Sequence, residues 1–133
     1  MSNKIIDRIV EHIFNKKGYD VKILDLRNLT TIADYFVICT GDSDTQVKAI
    51  ADEVDKRMRD EGVRSWHTEG YRSLNWVLID FVDIVVHVFK KESRVHYNLE
   101  KLWGDAPTVL AEDPLLKMPA KRKPGRPKKI KSE

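Results

Sequence analysis

All the proline residues of this 133-residue chain lie in its last fifth, at positions 107, 114, 119, 124 and 127. Proline lacks a backbone N–H and fixes φ, so a proline-rich segment with few aromatic residues cannot sustain helices or β-ladders. The sequence therefore predicts one folded domain over residues 1–106, followed by a disordered basic tail over residues 107–133. A domain of that length can bury one adequate hydrophobic core without disulfides or metals.

Charge divides the chain at nearly the same place. The chain has 24 Lys and Arg residues against 21 Asp and Glu, a net charge of +3. Eight of the basic residues and one acid lie from Lys117 onward, which leaves 16 bases and 20 acids, net −4, for residues 1–116. A domain that reads nucleic acid through its phosphates would be basic instead. Any nucleic-acid contact is therefore expected from the tail.

Composition also predicts where the protein works. The single cysteine, Cys39, excludes a disulfide framework and is typical of a reducing compartment. The first residues are charged throughout, unlike a secretory signal, and no apolar run approaches the ~20 residues that span a bilayer. We therefore expect a soluble, cytoplasmic protein that does not contact membranes.

Apolar residues recur at helical spacing in three segments, which predict helices over residues 3–18, 43–62 and 92–104. Ser43, followed three residues later by Gln46, forms a capping-box pattern at the start of the second helix. The predicted buried stripe of the last helix is Val95, Leu99 and Leu102.

The remaining apolar segments predict strands. "VKILDLRN" and "YFVICTG" follow the first helix, and a short strand is expected within residues 63–74. "NWVLID" and "DIVVHVF" are separated by so few residues that they predict an antiparallel hairpin. The order of elements predicts an α/β fold, a mixed β-sheet of about five strands flanked by helices.

Patterns typical of catalysis are weak. Asp80 and Asp83 are close in sequence, but side chains three apart on a strand point to opposite faces, which favours turn acids over a metal site. The four histidines show no ligand spacing, and "TGDSD" lacks the lysine and glycine spacing of a P-loop. We therefore predict that the protein is not an enzyme and holds no cofactor or metal.

The predicted hairpin carries a stronger signal, because both faces of its first strand are apolar. Trp76 and Leu78 alternate with Val77 and Ile79. One interpretation is a central hairpin covered by helices on both faces. The other is an exposed apolar patch that includes Trp76 and marks a partner site. The charged segment "KKESR" would then form its rim.

Two long stretches carry a family resemblance: "TTIADYFVICTGDSDTQVKAIADEV" and "EGYRSLNWVLIDFVDIVVHVFKKESRVHYNLEKLWGDA". They closely resemble the ribosomal silencing factor (Iojap-like) family over roughly residues 4–106. The resemblance implies a nucleotidyltransferase-like superfold without enzymatic activity. It also implies binding to the fourteenth protein of the large ribosomal subunit. Such binding would block joining of the small subunit and repress translation when nutrients are short. Organellar relatives also act in large-subunit assembly.

The superfold keeps a weak enzymatic alternative open. Nucleotidyltransferases of this type have a Gly-Ser turn followed by acids at D-x-D spacing. Here Gly41 is followed by Asp42, and the strand acids Asp80 and Asp83 are out of phase. We therefore expect the scaffold without its metal site, since a fold by itself does not confer activity.

The resemblance places the ribosomal contact on the hairpin and the start of the last helix. The predicted contact residues are Trp76, Leu78, Asp80, Phe81, Lys91, Arg94 and Tyr97. We expect Trp76→Ala or Arg94→Glu to weaken large-subunit binding and leave the fold intact. Val82 stands where many relatives have glycine. A β-branched residue is strained at positive φ, so we expect a negative φ there.

The tail contains Gly125-Arg126-Pro127 among basic residues, which resembles an AT-hook. The candidate nucleic-acid contacts are Lys121, Arg122, Lys123, Arg126, Lys128 and Lys129. Three interpretations stay open: an electrostatic arm for ribosomal RNA, an AT-hook that would make this a DNA-binding protein, and a solvated tail without a partner. The RNA arm is favoured, because phosphates surround the implied binding surface and counterion release would add affinity. Self-association of the apolar patch, as a homodimer of the free protein, is a further alternative.

Overall fold

This computed structural model describes residues 3–112, which form four helices and six strands. The helices are α1 (Lys4–Asn15), α2 (Asp44–Asp60), α3 (Lys91–Tyr97) and α4 (Leu99–Leu102). The strands are β1 (Tyr19–Asp25), β2 (Tyr35–Gly41), β3 (His67–Glu69), β4 (Trp76–Asp80), β5 (Ile84–Lys90) and β6 (Thr108–Leu110). The predicted mixed α/β fold is confirmed.

The strands form one sheet in the order β3-β4-β5-β2-β1-β6. The central strands β2 and β5 run parallel, and every other neighbouring pair is antiparallel. All seven residues of β2 are buried, as expected of a strand that is covered on both faces. The predicted hairpin is the antiparallel pair β4 and β5.

Helix starts follow the local sequence. The Asn3 side chain accepts the N–H groups of Ile5 and Ile6 and so caps α1. At α2, the hydroxyl of Ser43 accepts the Gln46 N–H at 3.1 Å. The Gln46 side chain reaches back to accept the N–H of Asp42 at 2.7 Å. The predicted Ser43 cap is confirmed, and it satisfies one backbone donor that a helix start leaves without a partner, while Gln46 bonds the residue before the cap.

The two faces of the sheet are covered unequally. α1 and α2 cover one face with fully buried side chains such as Ile9 and Ile50, which pack with Val37 and Val86 of the sheet. The other face is covered by the short helices α3 and α4, where Leu99 is buried. Because α3 and α4 are short, the second face keeps partly exposed side chains along β4.

The last predicted helix is broken at Asn98. This residue has φ 46° and ψ 55°, in the left-handed region, and it separates α3 from α4. Leu99 is buried as predicted, but Val95 and Leu102 are 79% and 74% exposed. The prediction of a buried stripe is wrong for these two residues, because the break turns α4 relative to α3 and helical spacing no longer defines one face.

The sheet continues past the predicted domain boundary at residue 106. β6 pairs with β1 in antiparallel fashion. The carbonyl of Pro107 accepts the Asp25 N–H at 2.9 Å, and the Ala111 N–H donates to the Val21 carbonyl at 2.8 Å. Proline cannot donate to a ladder, but its carbonyl can still accept, so a strand can start directly after it.

Candidate docking surface

Trp76, the first residue of β4, lies on the sheet face opposite α1 and α2. Its indole Nε1–H donates to Nδ1 of His87 on β5, with 3.0 Å between the nitrogens. The indole stacks on Phe89 with ring centroids 4.9 Å apart, and the Tyr97 ring of α3 lies 5.0 Å away. The register pairs Trp76 with Phe89 and Leu78 with His87. Strand alternation therefore collects these side chains on one face.

We define the docking surface as Trp76, Leu78 and Tyr97. Trp76 and Leu78 are partly buried, and Tyr97 is 51% exposed. On the opposite face, Val77 and Ile79 are completely buried. The hairpin is thus sealed on one face and partly open on the other, where a large aromatic side chain can anchor a partner.

His87 lies beneath this surface. It is buried, and burial lowers the pKa of its imidazole to about 3. Because Nδ1 accepts the indole N–H, the proton of the neutral ring is on Nε2. Nε2 is buried and has no hydrogen-bond partner among residues 3–112. The Phe36 ring contacts the imidazole edge-on, with centroids 4.4 Å apart.

The edge strand β3 adds acidic side chains beside the docking surface. The register places His67 opposite Asp80 and Glu69 opposite Leu78. His67 Nε2 lies 2.9 Å from Glu69 Oε2, and its Nδ1 lies 3.7 Å from Asp80 Oδ2. The outer rim is therefore acidic, which suits a partner with basic side chains.

Four of the other predicted contact residues lie at the surface or beside it. Leu78 and Tyr97 belong to the docking surface as defined. Asp80 lies on its rim, where its Oδ1 also accepts the Val82 N–H at 2.7 Å and so closes the hairpin turn. Lys91 is exposed at the start of α3, two residues after Phe89.

Phe81 lies on the wrong face for the predicted contact. It is 9% exposed and packs in the core between the sheet and the helices α1 and α2. Side chains 80 and 81 leave opposite faces of the chain, so a face that presents Asp80 cannot also present Phe81. The prediction of an exposed anchor at Phe81 does not hold.

Arg94 does not form the predicted exposed rim. It is 9% exposed. Its guanidinium donates to the Asp20 carbonyl, to Thr40 Oγ1 at 2.7 Å and to Glu100 Oε2 at 2.8 Å. Lys22 Nζ also lies 3.3 Å from Glu100 Oε2. Burial by itself would raise the pKa of the Glu100 carboxyl, but Arg94 and Lys22 outweigh burial and lower this pKa. Arg94 thus joins α3 and α4 to the sheet, which makes Arg94→Glu a change to the fold as well.

The expected negative φ at Val82 is wrong. Val82 has φ 77° and is 59% exposed. The Asp83 N–H donates to the Phe81 carbonyl at 3.0 Å across it, as in a γ-turn. The Asp83 carbonyl accepts the N–H groups of Asp34 and Tyr35 at 2.8 and 3.1 Å. These bonds hold the turn against the start of β2 and maintain a backbone conformation that valine disfavours.

Sequence reasoning missed two residues that shape the site, His87 and Trp103. Trp103 packs edge-on against Phe36, with ring centroids 5.9 Å apart, and is partly exposed. Alternation along β5 does put His87 on the same face as Phe89. His87 could therefore have been predicted from the alternation along β5. The position of Trp103 could not, because it depends on the break at Asn98.

Other candidate sites are less developed. Burial raises the pKa of the Cys39 thiol to about 12, which keeps it protonated and unreactive. Within residues 3–112, no group of three or more His, Cys, Asp or Glu side chains is arranged to hold a metal ion. In that same part of the chain, no helix is long and apolar enough to cross a membrane. The six candidate nucleic-acid contacts, between Lys121 and Lys129, lie outside the described residues.

The fold is a mixed α/β domain with a partly open aromatic surface on one face of its sheet. Residues 1–133 match the family described as "Ribosomal silencing factor during starvation". The chain belongs to this family. It is 48% identical to ribosomal silencing factor RsfS of Halalkalibacterium halodurans over 113 residues, which cover 84% of this chain and 97% of that protein.

Further relatives and solved structures agree. RsfS of Bacillus subtilis is 48% identical over 70% of this chain and 79% of its own length. The chloroplastic Iojap protein of Zea mays is 33% identical over 70% of this chain and 40% of its own length. A crystal structure from Chromobacterium violaceum superposes with a TM-score of 0.75 at 37% identity, covering 82% of this chain and 91% of that one. Another, from Bacillus halodurans, gives a TM-score of 0.73 at 41% identity, covering 83% and 100%. The predicted family is confirmed.

Proposed function

We propose that the protein binds the large ribosomal subunit in the cytoplasm through the docking surface and thereby blocks joining of the small subunit. The bound component is the fourteenth protein of the large subunit, and the result is repression of translation when nutrients are limiting. The same attachment would let the protein aid large-subunit assembly. The observation that carries the proposal is the partly open aromatic surface at Trp76 in a chain of the ribosomal silencing factor family.

The shape of the docking surface supports a protein partner. Trp76 and Leu78 project from a rigid strand, and Tyr97 flanks them from α3. Aromatic anchors on rigid elements, surrounded by polar side chains, are the usual centres of binding energy in protein–protein interfaces. No catalytic group is required for this function, since occupancy of the joining face is sufficient.

Charge supports a basic partner protein. Residues 1–116 carry a net charge of −4, and the acidic rim at Glu69 and Asp80 lies next to Leu78. Complementary charge mainly raises the association rate and fixes the orientation of the complex. Lys91, exposed at the start of α3, would pair with an acid of the partner.

The test is co-sedimentation with purified large subunits, followed by addition of small subunits. Trp76→Ala is expected to weaken binding by about 30-fold, the usual loss for an interface anchor, and to restore subunit joining. Trp66→Ala is a matched control, because Trp66 is 73% exposed just before β3 and takes no part in the aromatic cluster around Trp76. Equal binding by the two variants, at equal thermal stability, would exclude this surface.

The basic tail would supply a second contact, an electrostatic arm for ribosomal RNA. Its candidate residues are Lys121, Arg122, Lys123, Arg126, Lys128 and Lys129. The truncation that tests it should end at residue 112, because β6 belongs to the sheet. The truncated chain is expected to bind large subunits with a weaker dependence on salt, since fewer counterions are released. An unchanged salt dependence, with retention of A/T-rich duplex by the full chain, would favour the AT-hook alternative.

The docking surface also provides a route to a homodimer of the free protein. Two copies that met through Trp76 would cover the same apolar area that the ribosome covers, so dimerisation and ribosome binding would exclude each other. Sedimentation velocity of the free protein, with and without Trp76→Ala, distinguishes the two states. A dimer that persists in the variant would place its interface elsewhere.

A further inference from the structure

The orientation of Trp76 depends on one hydrogen bond from below the docking surface. The ring contacts with Phe89 and Tyr97 fix the approximate plane of the indole. They do not decide which edge of the ring points inward, because both edges can stack equally well. The bond from Nε1–H to His87 Nδ1, 3.0 Å long, makes that choice. The bond thus points the polar edge of the indole toward the protein interior.

His87 is held in a single position for this role. Its imidazole is buried, faces Leu78 across the β4–β5 ladder and packs edge-on against Phe36. Nε2 has no partner within residues 3–112, so no second hydrogen bond competes for the orientation of the ring. An unpaired buried donor lowers stability. The buried position of His87 is therefore explained better by the hydrogen bond that its Nδ1 accepts than by a contribution to the stability of the core.

We propose that His87 is a positioning residue that sets the orientation of Trp76 for docking. This inference rests on the proposed function of the docking surface. It adds the chemistry of the partner group that meets Trp76. Because the indole N–H is already bonded inside the protein, Trp76 offers only its carbon edge and ring surface. The matching group on the partner is an aliphatic side chain or a guanidinium that packs on the ring, without an acceptor for the N–H.

The experiment compares His87→Asn with His87→Leu. The two substituents have nearly the same size and shape, but only asparagine places an acceptor oxygen near the position of Nδ1. Two quantities are measured: the Trp76 indole N–H resonance of the free protein, with its exchange against solvent, and the affinity for large subunits. We expect His87→Asn to keep a protected resonance and near-native affinity. His87→Leu should lose the protection and bind about fivefold more weakly, as for one lost hydrogen bond.

A variant pair with equal affinities would overturn the proposal, and so would a Leu variant that keeps native affinity. If His87→Leu fails to fold, His87→Phe replaces it, because a ring refills the buried site and still lacks the acceptor. In a Trp76→Phe background, which removes the donor, loss of the acceptor at residue 87 should add no further decrease in affinity. An additional decrease would show that His87 acts by another route.

Failure of the proposed function gives a different result. If Trp76→Ala binds large subunits as tightly as the native chain, the docking surface is wrong. The indole resonance, which is measured without ribosomes, still reports on the bond to His87 in that case. A protected resonance would then show that the hydrogen bond orients Trp76, although Trp76 contributes nothing to ribosome binding.

Discussion

Arg94 on α3 donates from Nη1 to Oγ1 of Thr40 near the end of β2, 54 residues earlier, at 2.7 Å. The same guanidinium bonds Glu100 on α4. One buried cation therefore joins two short helices to the central strand that neighbours β5. The attachment of α3 and α4 to the sheet face that carries Trp76 therefore depends on the Arg94 guanidinium.

Arg94→Glu is expected to lower the free energy of unfolding by about 3 kcal/mol, since it removes the donor to Thr40, leaves Glu100 with Lys22 alone and adds a like charge in a buried site. Urea denaturation measures the change. Lys91→Glu, one turn earlier and exposed, should alter stability by less than about 0.5 kcal/mol. Equal urea midpoints for the two variants would show that the Arg94 network contributes nothing to the fold.

Gly70→Ala is expected to displace the first residue of β4. Gly70 has φ 94°, and a Cβ at this position would lie 1.9 Å from the Trp76 carbonyl oxygen. The backbone must move, so both thermal stability and ribosome affinity should fall. Gly62→Ala is the matched control, because Gly62 has φ 92° but no atom within 4 Å of an added Cβ. It should cost about 1 kcal/mol from backbone strain alone. Similar losses in the two variants would contradict a steric role for Gly70.

Val82→Gly should stabilise the protein. Valine at φ 77° is strained, and glycine relieves this strain at a smaller cost in chain entropy. The expected gain is about 0.5–1 kcal/mol in the free energy of unfolding, measured with urea. Val82→Ala keeps a Cβ at the same φ and should give less than half of that gain. A destabilised glycine variant would mean that the exposed valine makes contacts that outweigh its strain.

His87 predicts a pH dependence of stability. Burial lowers its pKa in the folded protein to about 3, against about 6.5 in the unfolded chain. Between these values only the unfolded chain binds the proton, so stability is fully present above about pH 6.5 and decreases as the pH falls. From pH 7 to pH 5 the native chain should lose about 2 kcal/mol through this group. His87→Phe should lack that part of the loss in urea titrations at the two pH values. Parallel losses in both chains would refute the assignment.

Sequence patterns predicted what depends on neighbours along the chain. The Ser43–Gln46 cap, the β4–β5 hairpin and the alternation that brings Trp76 and Leu78 to one face all follow from short-range spacing. The docking surface was therefore within reach of sequence reasoning, although its supporting histidine was not recognised.

The errors share a different cause, which is tertiary contact. Arg94 lies inward because its guanidinium bonds Asp20 and Thr40 of distant strands, and Val95, the next residue on α3, is exposed. Val82 keeps a positive φ because Asp83 is bonded to Asp34 and Tyr35 of a distant segment. Pro107 precedes a strand because β1 offers an unpaired edge. In each case a partner remote in sequence overrides the local preference.

β6 fixes where the described part of the chain ends relative to the docking surface. β6 lies at the opposite edge of the sheet from β3, four strand spacings from β4, or about 19 Å. The proposed tail contact on the ribosome would thus be tethered well to one side of the proposed anchor at Trp76. Two weak attachments at separate points raise each other's effective concentration, and release of one leaves the other in place. Two such contacts together would hold the protein on the subunit far longer than either contact alone, and high salt would weaken the tail contact more than the aromatic docking surface.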